Sequence, residues 1–481
     1  MASGVAEWWS SAESAATHYS VGAWLFLRAI GLIYVIAFVS LAVQIDGLVG
    51  RQGILPAREF LMEVKKQFGR SRFLAVPTLC WLNVSDRFLR FLCWGGALAG
   101  LLALIGVATL PALIVCWAFY ISLFGVARLF LGYQWDVLLL EAGFLAILLT
   151  LAPHWSILLL LYWLLFRLMF LSGFAKLRSG DTTWRQLTAL SYHYETQPLP
   201  TPLAWSAHRL PRWFHKLSAT GMFVLELGVP FLIFTPYRHW AGFAFIGLML
   251  LIMLTGNYCF FNLLAIALCL PLFDNHFYGQ PAGTTSTATA PVVVGAALMA
   301  LSVVRLLRLF KVDCSLVTGI NHWLDSVPIV NHYGLFSVMT TSRMEIVVEG
   351  SRDGRTWEPY EFKWKPGDVT RAPPWVAPHQ PRLDWQMWFA ALGDYRVNGW
   401  FIGFLIRLLQ GSPPVLALLR RNPFPDGPPS YVRAVLYQYR FTDRETRRAT
   451  GAWWTREKRW LYCPVYSLRG PEREFMPSDD F

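Results

Sequence analysis

The chain has 481 residues, of which 55% are hydrophobic, 16% aromatic and only 15% charged. A soluble domain carries about 25% charged residues, so this deficit, with a mean hydropathy of +0.40, excludes a soluble globular protein and points to a membrane protein. The net charge of +12 is no nucleic-acid footprint, because the basic residues sit in loops beside apolar runs, where they set topology and meet lipid headgroups.

Residues 1–20 hold Glu7 and Glu13 but no Lys or Arg, so the basic start of a signal peptide is missing. Residues 22–43 predict the first span. A polar stretch, 44–87, follows with Arg51, Arg58, Lys65, Lys66, Arg70 and Arg72. Within it, "ILPAREFLMEVKKQF" mixes apolar and charged positions at helical spacing and predicts an interfacial helix. Further spans are predicted at 88–107, 111–130, 136–152 and 156–175. After a second polar loop, 176–216, come spans at 217–236, 240–256, 258–272 and 289–309. The expectation is a polytopic α-helical membrane domain over 1–310 with about nine transmembrane helices. Only the polar kink Gly256-Asn257 separates two of them.

From 311 to 481 the pattern turns soluble or membrane-associated, and a mixed α/β domain with antiparallel strands is predicted. "RMEIVVEGSRDGRTWEPYEFKW" reads as two strands joined at an Asp-Gly turn, with Met344, Ile346 and Val348 alternating with Glu345, Val347 and Glu349. Residues 431–442 and 459–469 are also strand-like. "RLDWQMWFAAL" and "NGWFIGFLIRLLQ" are too apolar and too short for surface helices or spans, and should dock on the domain core or the membrane face. Counting positive charges puts loops 44–87 and 176–216 and the C-terminal domain together on the inner side.

Six ionisable residues fall within or at the ends of the apolar runs: Arg28, Arg128, Asp136, Glu141, Arg167 and Glu226. A lone charge at mid-bilayer costs about 2.5–3.5 kcal/mol, so three cations and three anions suggest internal pairing. Asp136 would sit in the first turn of its helix, where the dipole favours an anion. Glu141 lies about 7.5 Å deeper and is turned away from it. It needs a partner on another helix, and Arg128 and Arg167 are the natural ones. A structural ion pair and a ligand or proton site are the two readings of this group.

In the 176–216 loop the candidates are Asp181, Trp184, Tyr192, His193, Tyr194 and Glu195. Asp181, Thr182 or Thr183 can cap a short helix, with Gln186 completing a capping box from Thr183. His193, His208 and His215 do not have zinc spacing. No metal site, cofactor motif or nucleophile with its base is visible. None of the seven cysteines forms a CxxC pair, so packing is the expected role. Only Cys314 and Cys463 could pair in an oxidising compartment.

The stretch "GYQWDVLLLEAGFLAILL" (132–149), with "FRLMFLSGFAKLRSGDTTWRQLTALSYHYETQPLPTPLAW" (166–205), resembles the lipase maturation factor family. The likeness continues through "LTGNYCFFNLLAIALCL" (254–270), "VAPHQPRLDWQMWFAAL" (376–392), "RNPFPDGPPSYVRAVLYQYRFT" (421–442) and "GAWWTREKRWLY" (451–462), covering nearly the whole chain in collinear order. Asp136 and Glu141 belong to its fingerprint. The resemblance implies a multi-pass protein that helps secreted lipases fold and assemble as active homodimers. It implies the endoplasmic reticulum membrane in animals, or the plasma membrane for a microbial relative. It implies no catalytic residues and no cofactor, and a C-terminal domain facing the lumen, opposite to the charge count. The expected partners are a secreted lipase or other hydrolase and membrane lipids. A remoter architectural likeness to membrane carboxylases that act on glutamate residues introduces the alternative, a membrane enzyme or carrier using the intramembrane charges. Arg382, Asp384, Trp385 and Trp388 form the candidate client surface; the two tryptophans share a helical face at i, i+3, and domain core is the competing reading of both.

Overall fold

The computed structural model describes residues 21–279, 288–310, 312, 314–469 and 474–477. The acidic N-terminus and residues 280–287 of the neutral loop lie outside the described residues. Helix α1 (Val21–Ala42) leads to helix α2 (Ala57–Phe68), in the segment where a helix is expected. Then come α3 (Asp86–Ile105), α4 (Thr109–Val126), α5 (Gln134–Leu151), α6 (Trp155–Arg178), α7 (Arg212–Phe234), α8 (Arg238–Thr255), the shorter α9 (Phe261–Leu272) and α10 (Ala290–Leu307). Among the described residues, eight helices, all of these except α2 and α9, are long and apolar enough to cross a bilayer.

The predicted ninth span is α9. It rises only about 18 Å against a hydrocarbon core of about 30 Å. The rest of that path is irregular backbone at Asn257, Tyr258, Cys259 and Phe260, all buried in the bundle. Non-helical chain at membrane depth is tolerated where protein, not lipid, surrounds it. In α7 the helical ladder is likewise interrupted, by a π turn at Val224–Gly228 followed by a 3-10 stretch, Val229–Phe234. Pro230 sits at the start of that stretch, where its missing N–H is tolerated.

Tight helix packing replaces hydrophobic drive inside a bilayer. A Cβ on Gly31 of α1 would lie 2.5 Å from the Leu104 backbone of α3, and one on Gly100 would lie 3.0 Å from the Gly31 carbonyl. These two glycines let α1 and α3 touch backbone to backbone.

Successive helices alternate between two ends of the bundle. At the far end the Val21 amide donates to Asn275 at 2.8 Å and Ser156 donates to the Pro291 carbonyl at 2.9 Å. At the near end Gln44, just past α1, donates to the Gln380 carbonyl at 2.8 Å, and Asn257 donates to the Pro374 carbonyl at 2.9 Å. Loops 44–87 and 176–216 therefore lie on the same side as the C-terminal domain.

That domain begins with α11 (Ser315–Ser326) and contains β1 (Arg343–Ser351), β2 (Glu358–Pro359) and β3 (Glu361–Phe362). It continues with α12 (Arg382–Ala390), α13 (Gly399–Leu409), β4 (Leu419–Arg421), β5 (Tyr431–Phe441), β6 (Trp454–Arg469) and β7 (Glu474–Pro477). An antiparallel five-stranded sheet runs β2-β1-β5-β6-β7, and β3 pairs with β4. The Asp-Gly turn follows β1, where Asp353 accepts the Arg355 and Thr356 amides at 2.8 Å each and Gly354 takes φ +72°. The predicted alternation in β1 does not hold. Glu345 and Val347 are buried along with Ile346 and Val348, because both faces of the strand are covered. Both apolar segments dock as expected. In α13, Phe401, Phe404, Leu405 and Leu408 are buried, and Gly403 lies against the Ile54 carbonyl of the 44–87 loop.

Candidate functional site

The junction between bundle and domain gathers most of the charges that the sequence singles out. Asp136 is in the first turn of α5, as expected, but the helix dipole is not its main partner. Arg382 of α12 meets it with two nitrogens, at 2.7 and 2.8 Å, and Tyr120 donates to it at 2.5 Å. Both charges are essentially without solvent. A forked guanidinium matches a carboxylate in this way, which a lysine cannot do. The same Arg382 donates to the Phe130 carbonyl at 2.8 Å.

Glu141 is the second fastening. Arg167 of α6 pairs with one carboxylate oxygen, in a very close contact. The other oxygen accepts the Asn331 amide at 2.8 Å, the Asn331 side chain at 3.0 Å and the Tyr333 hydroxyl at 2.7 Å. Arg167 also donates to the Asn331 carbonyl at 2.6 Å. Of the two partners foreseen for Glu141, Arg167 is the one found. Arg128 is exposed and donates to the Asp325 carbonyl at 3.0 Å. Each carboxylate of α5 thus holds a different segment of the C-terminal domain: Asp136 holds α12, and Glu141 holds the strap before β1.

Glu226 lies in the π turn of α7 and pairs with Lys176 at 2.7 and 2.9 Å. Arg28 is apart from the junction, donating to the Ala103 carbonyl and, at 3.1 Å, to Thr109.

The 176–216 loop is ordered and clasped by the domain. Asp181 caps the helix Thr182–Arg185, accepting from Thr183 N at 2.7 Å, and also accepts the Met339 amide at 2.6 Å. Partial burial pushes its carboxyl up, but these hydrogen bonds outweigh that and leave it below the usual range. The helix ends at Arg185, so the capping box from Thr183 to Gln186 does not form. Trp184 is buried and donates to the Phe336 carbonyl at 3.0 Å. His193 lies parallel to Tyr258 and edge-on to Phe336, Tyr194 lies against His215, and Tyr192 is exposed. Burial and the Lys176 charge lower the His193 imidazole to about 4. Glu195 accepts the Phe441 amide of β5 at 2.6 Å, and burial raises its carboxyl despite that bond.

The proposed client patch is largely interior. Arg382, Asp384 and Trp385 are buried, and Trp388 is half-buried with its indole donating to the Thr196 carbonyl at 2.9 Å. Trp385 packs on Trp135, centroid to centroid 4.9 Å. Asp384 accepts the Trp364 and Lys365 amides at 2.8 and 2.9 Å, and burial pushes its carboxyl up. The reason is the bundle itself, whose end covers the face that α12 would otherwise show to a partner.

Sequence reasoning missed one cluster entirely. Arg343 and Lys365 flank Glu345 at 2.7 and 2.8 Å, all three buried. Arg343 also donates to the backbone carbonyls of Glu195, Gln197 and Pro198, tying β1 to the loop. A charged pair at i, i+2 opening an apolar strand was the available signal. Lys176, Asn331 and Tyr333 were missed because their partners lie many residues away.

Among the described residues no group of His, Cys, Asp or Glu could hold a metal. All seven cysteines are free; Cys314 is exposed and Cys463 buried, so the one conceivable disulfide is not formed.

Residues 21–280 match the model of the lipase maturation factor transmembrane domain, and residues 329–464 match that of its C-terminal domain. The chain belongs to the lipase maturation factor family. It is 37% identical to lipase maturation factor 2 of Gallus gallus, over 93% of this chain and 81% of that protein. Against lipase maturation factor 2 of Homo sapiens the identity is 36%, over 94% and 83%. Against lipase maturation factor 1 of Homo sapiens it is 32%, over 92% and 87%. No solved structure matches the chain. Family and helices together make this a multi-pass membrane protein. In this member of the family, Asp136 and Glu141 are two buried ion-paired points at which the membrane domain grips the C-terminal one.

Proposed function

We propose that this protein is a membrane-embedded maturation factor that helps secreted lipases, or related hydrolases, reach their active form. Its membrane is that of the endoplasmic reticulum in a eukaryote, or the plasma membrane in a bacterium. The names of its relatives support the client class. The observation that carries the choice over a membrane enzyme is the state of Glu141. The space beside it, lined by Leu145, Leu160, Trp163 and Arg167 among others, is about 10 Å³. That is no more than one water's worth of room. With both oxygens partnered inside the protein and no room for a substrate, Glu141 acts as a fastening and not as an acid or base.

A client therefore meets the protein outside the bundle. We place its contact on the middle of β6, where residues 455–461 are exposed in an unbroken run. There Trp460 is 57% and Leu461 47% exposed, flanked by Arg456, Lys458 and Arg459. Large aromatics and arginines commonly dominate binding surfaces. Because the client is secreted, this reading requires the domain to face the lumen or cell exterior. Long loops weaken the positive-charge rule that argued otherwise.

The test is affinity capture from the native membrane. Wild-type protein should co-purify a secreted lipase, and Trp460→Ala/Leu461→Ser should reduce its recovery at least about tenfold at normal abundance and unchanged Tm. Equal recovery with both proteins would reject β6 as the contact, and absence of any lipase from the wild-type capture would reject the maturation role.

A further inference from the structure

A cavity of about 1270 Å³, open to the outside, lies apart from the sealed junction, where the 44–87 loop meets the start of α3. Arg51, Arg58, Arg87, Arg90 and Arg407 line it, against two carboxylates, Glu59 and Asp86. Asp86 is occupied, accepting the Arg51 amide at 2.8 Å. Arg90 lies 3.5 Å from Asp46, and Arg407 is held by the Gly53 carbonyl at 2.7 Å. Arg58 and Arg87 are exposed, and among the described residues neither pairs with a carboxylate.

Position decides what such a cavity would take. Helix α3 rises about 30 Å, the thickness of a bilayer's hydrocarbon core, so its first turn, with Arg87 and Arg90, lies at the headgroup level. Below the cavity the outer face of α3 is a continuous apolar stripe: Phe91 is 56% exposed, Trp94 53%, Leu98 59%, Leu101 44% and Ile105 55%. The spacing of three and four residues keeps all five on one face. Phe91 belongs to both the stripe and the cavity wall, together with Met62 of α2. Guanidinium groups above a lipid-facing stripe match one ligand class, a phosphate joined to acyl chains. Arginine binds phosphate oxygens in a fork, and basic pockets at the ends of membrane helices suit anionic headgroups.

We infer that this cavity is a binding site for an anionic glycerophospholipid, with its phosphate and headgroup among Arg58, Arg87 and Arg90 and its acyl chains along Phe91, Trp94 and Leu98. The bound lipid would brace α2 and α3 on the side of the bundle that carries the C-terminal domain. Free inorganic phosphate shares the headgroup chemistry but has no use for the stripe.

The experiment uses the full-length protein in detergent and native mass spectrometry with added phosphatidylglycerol or phosphatidylcholine. Wild type should retain phosphatidylglycerol in preference to phosphatidylcholine. Arg58→Gln/Arg87→Gln should weaken that preference about tenfold with Tm in lipid-free detergent unchanged. The charge-matched control Lys65→Gln/Lys66→Gln, on exposed positions of α2 outside the cavity, should keep it. Equal loss in both pairs of variants would mean general surface charge and overturn the site. Stabilisation by inorganic phosphate equal to that by phosphatidylglycerol would mean a small-anion pocket and overturn the lipid.

Discussion

Two charged regions of this protein differ in how their charges are satisfied. At the junction of α5 with the C-terminal domain, Asp136, Glu141, Arg167 and Arg382 are buried and answer one another within the chain. In the cavity beside α3, Arg58 and Arg87 are exposed and, among the described residues, neither has a carboxylate partner. The first arrangement costs desolvation and is repaid only if every lone pair finds a donor. It suits a joint. The second leaves its charge accessible, which suits a ligand. The number of charges does not separate the two regions; their completeness does.

The largest effect should come from breaking the joint at Arg382. Arg382→Met leaves Asp136 buried with Tyr120 as its remaining side-chain donor, and removing one partner of a buried pair costs about 3–5 kcal/mol. Thermal melting of the purified protein should show a large drop in Tm. The double variant Asp136→Leu/Arg382→Met should recover most of it, since no unpaired charge remains. A single variant as stable as wild type would show that this pair does not hold the domain.

Glu141 sharpens the contrast. Glu141→Gln loses the ion pair but keeps an oxygen for Asn331 and Tyr333, whereas Glu141→Leu loses both. Leu should therefore be the worse of the two, each orphaned donor costing about 1–3 kcal/mol. For the same reason Glu141→Leu/Arg167→Met should recover less than the double variant at 136 and 382, because Asn331 and Tyr333 stay unsatisfied. Equal recovery in the two doubles would mean that only the charge pairs matter.

Much of this joint was half legible in the sequence. Equal numbers of each charge sign in the apolar runs suggested pairing within that set, but only Glu141 and Arg167, one of the two arginines expected for it, pair with each other; Asp136 and Glu226 take Arg382 and Lys176 from outside it. The partner of Asp136 could not be read, because Arg382 lies 246 residues away in a segment whose composition indicates that it docks but not against what. "RLDWQMWFAAL" is amphipathic only in isolation; the bundle end covers its second face, so residues with the composition of a binding patch became core. Glu345 misled for a related reason. A period of two assumes one wet face, and β1 has none. By contrast, the helicity of α2 was plain from its pattern, because its apolar and charged positions recur at helical spacing within the segment itself. Span lengths were legible to the same degree, except at α9, where burial lets a short helix and irregular backbone do what a longer helix does elsewhere.

The smallest effect concerns acid, and it tests whether the joint is sealed at its rim as well as at its centre. His193 and His208 in the 176–216 loop and His379 beside α1 each have an imidazole lowered to about 4, chiefly by burial. His379 also shares a 2.9 Å hydrogen bond with Ser40. The ordinary histidine value is about 6.5. Above that pH the folded and unfolded states are both neutral and these groups contribute no pH dependence. As pH falls from 6.5 towards 4, the unfolded state takes up protons first, so stability must fall through that window. His193 is only half-buried, so solvent screening holds its share to about 1 kcal/mol. The expected result is a lower Tm at pH 5 than at pH 7, with faster proteolysis between residues 183 and 197. His193→Phe keeps a ring against Tyr258 and Phe336 but cannot be protonated. It should flatten part of the pH dependence while His208 and His379 retain the rest. A profile from pH 7 to 5 that is level in the wild type, or identical in His193→Phe, would show that the rim is open to water and that only the carboxylate pairs beneath it hold the two halves together.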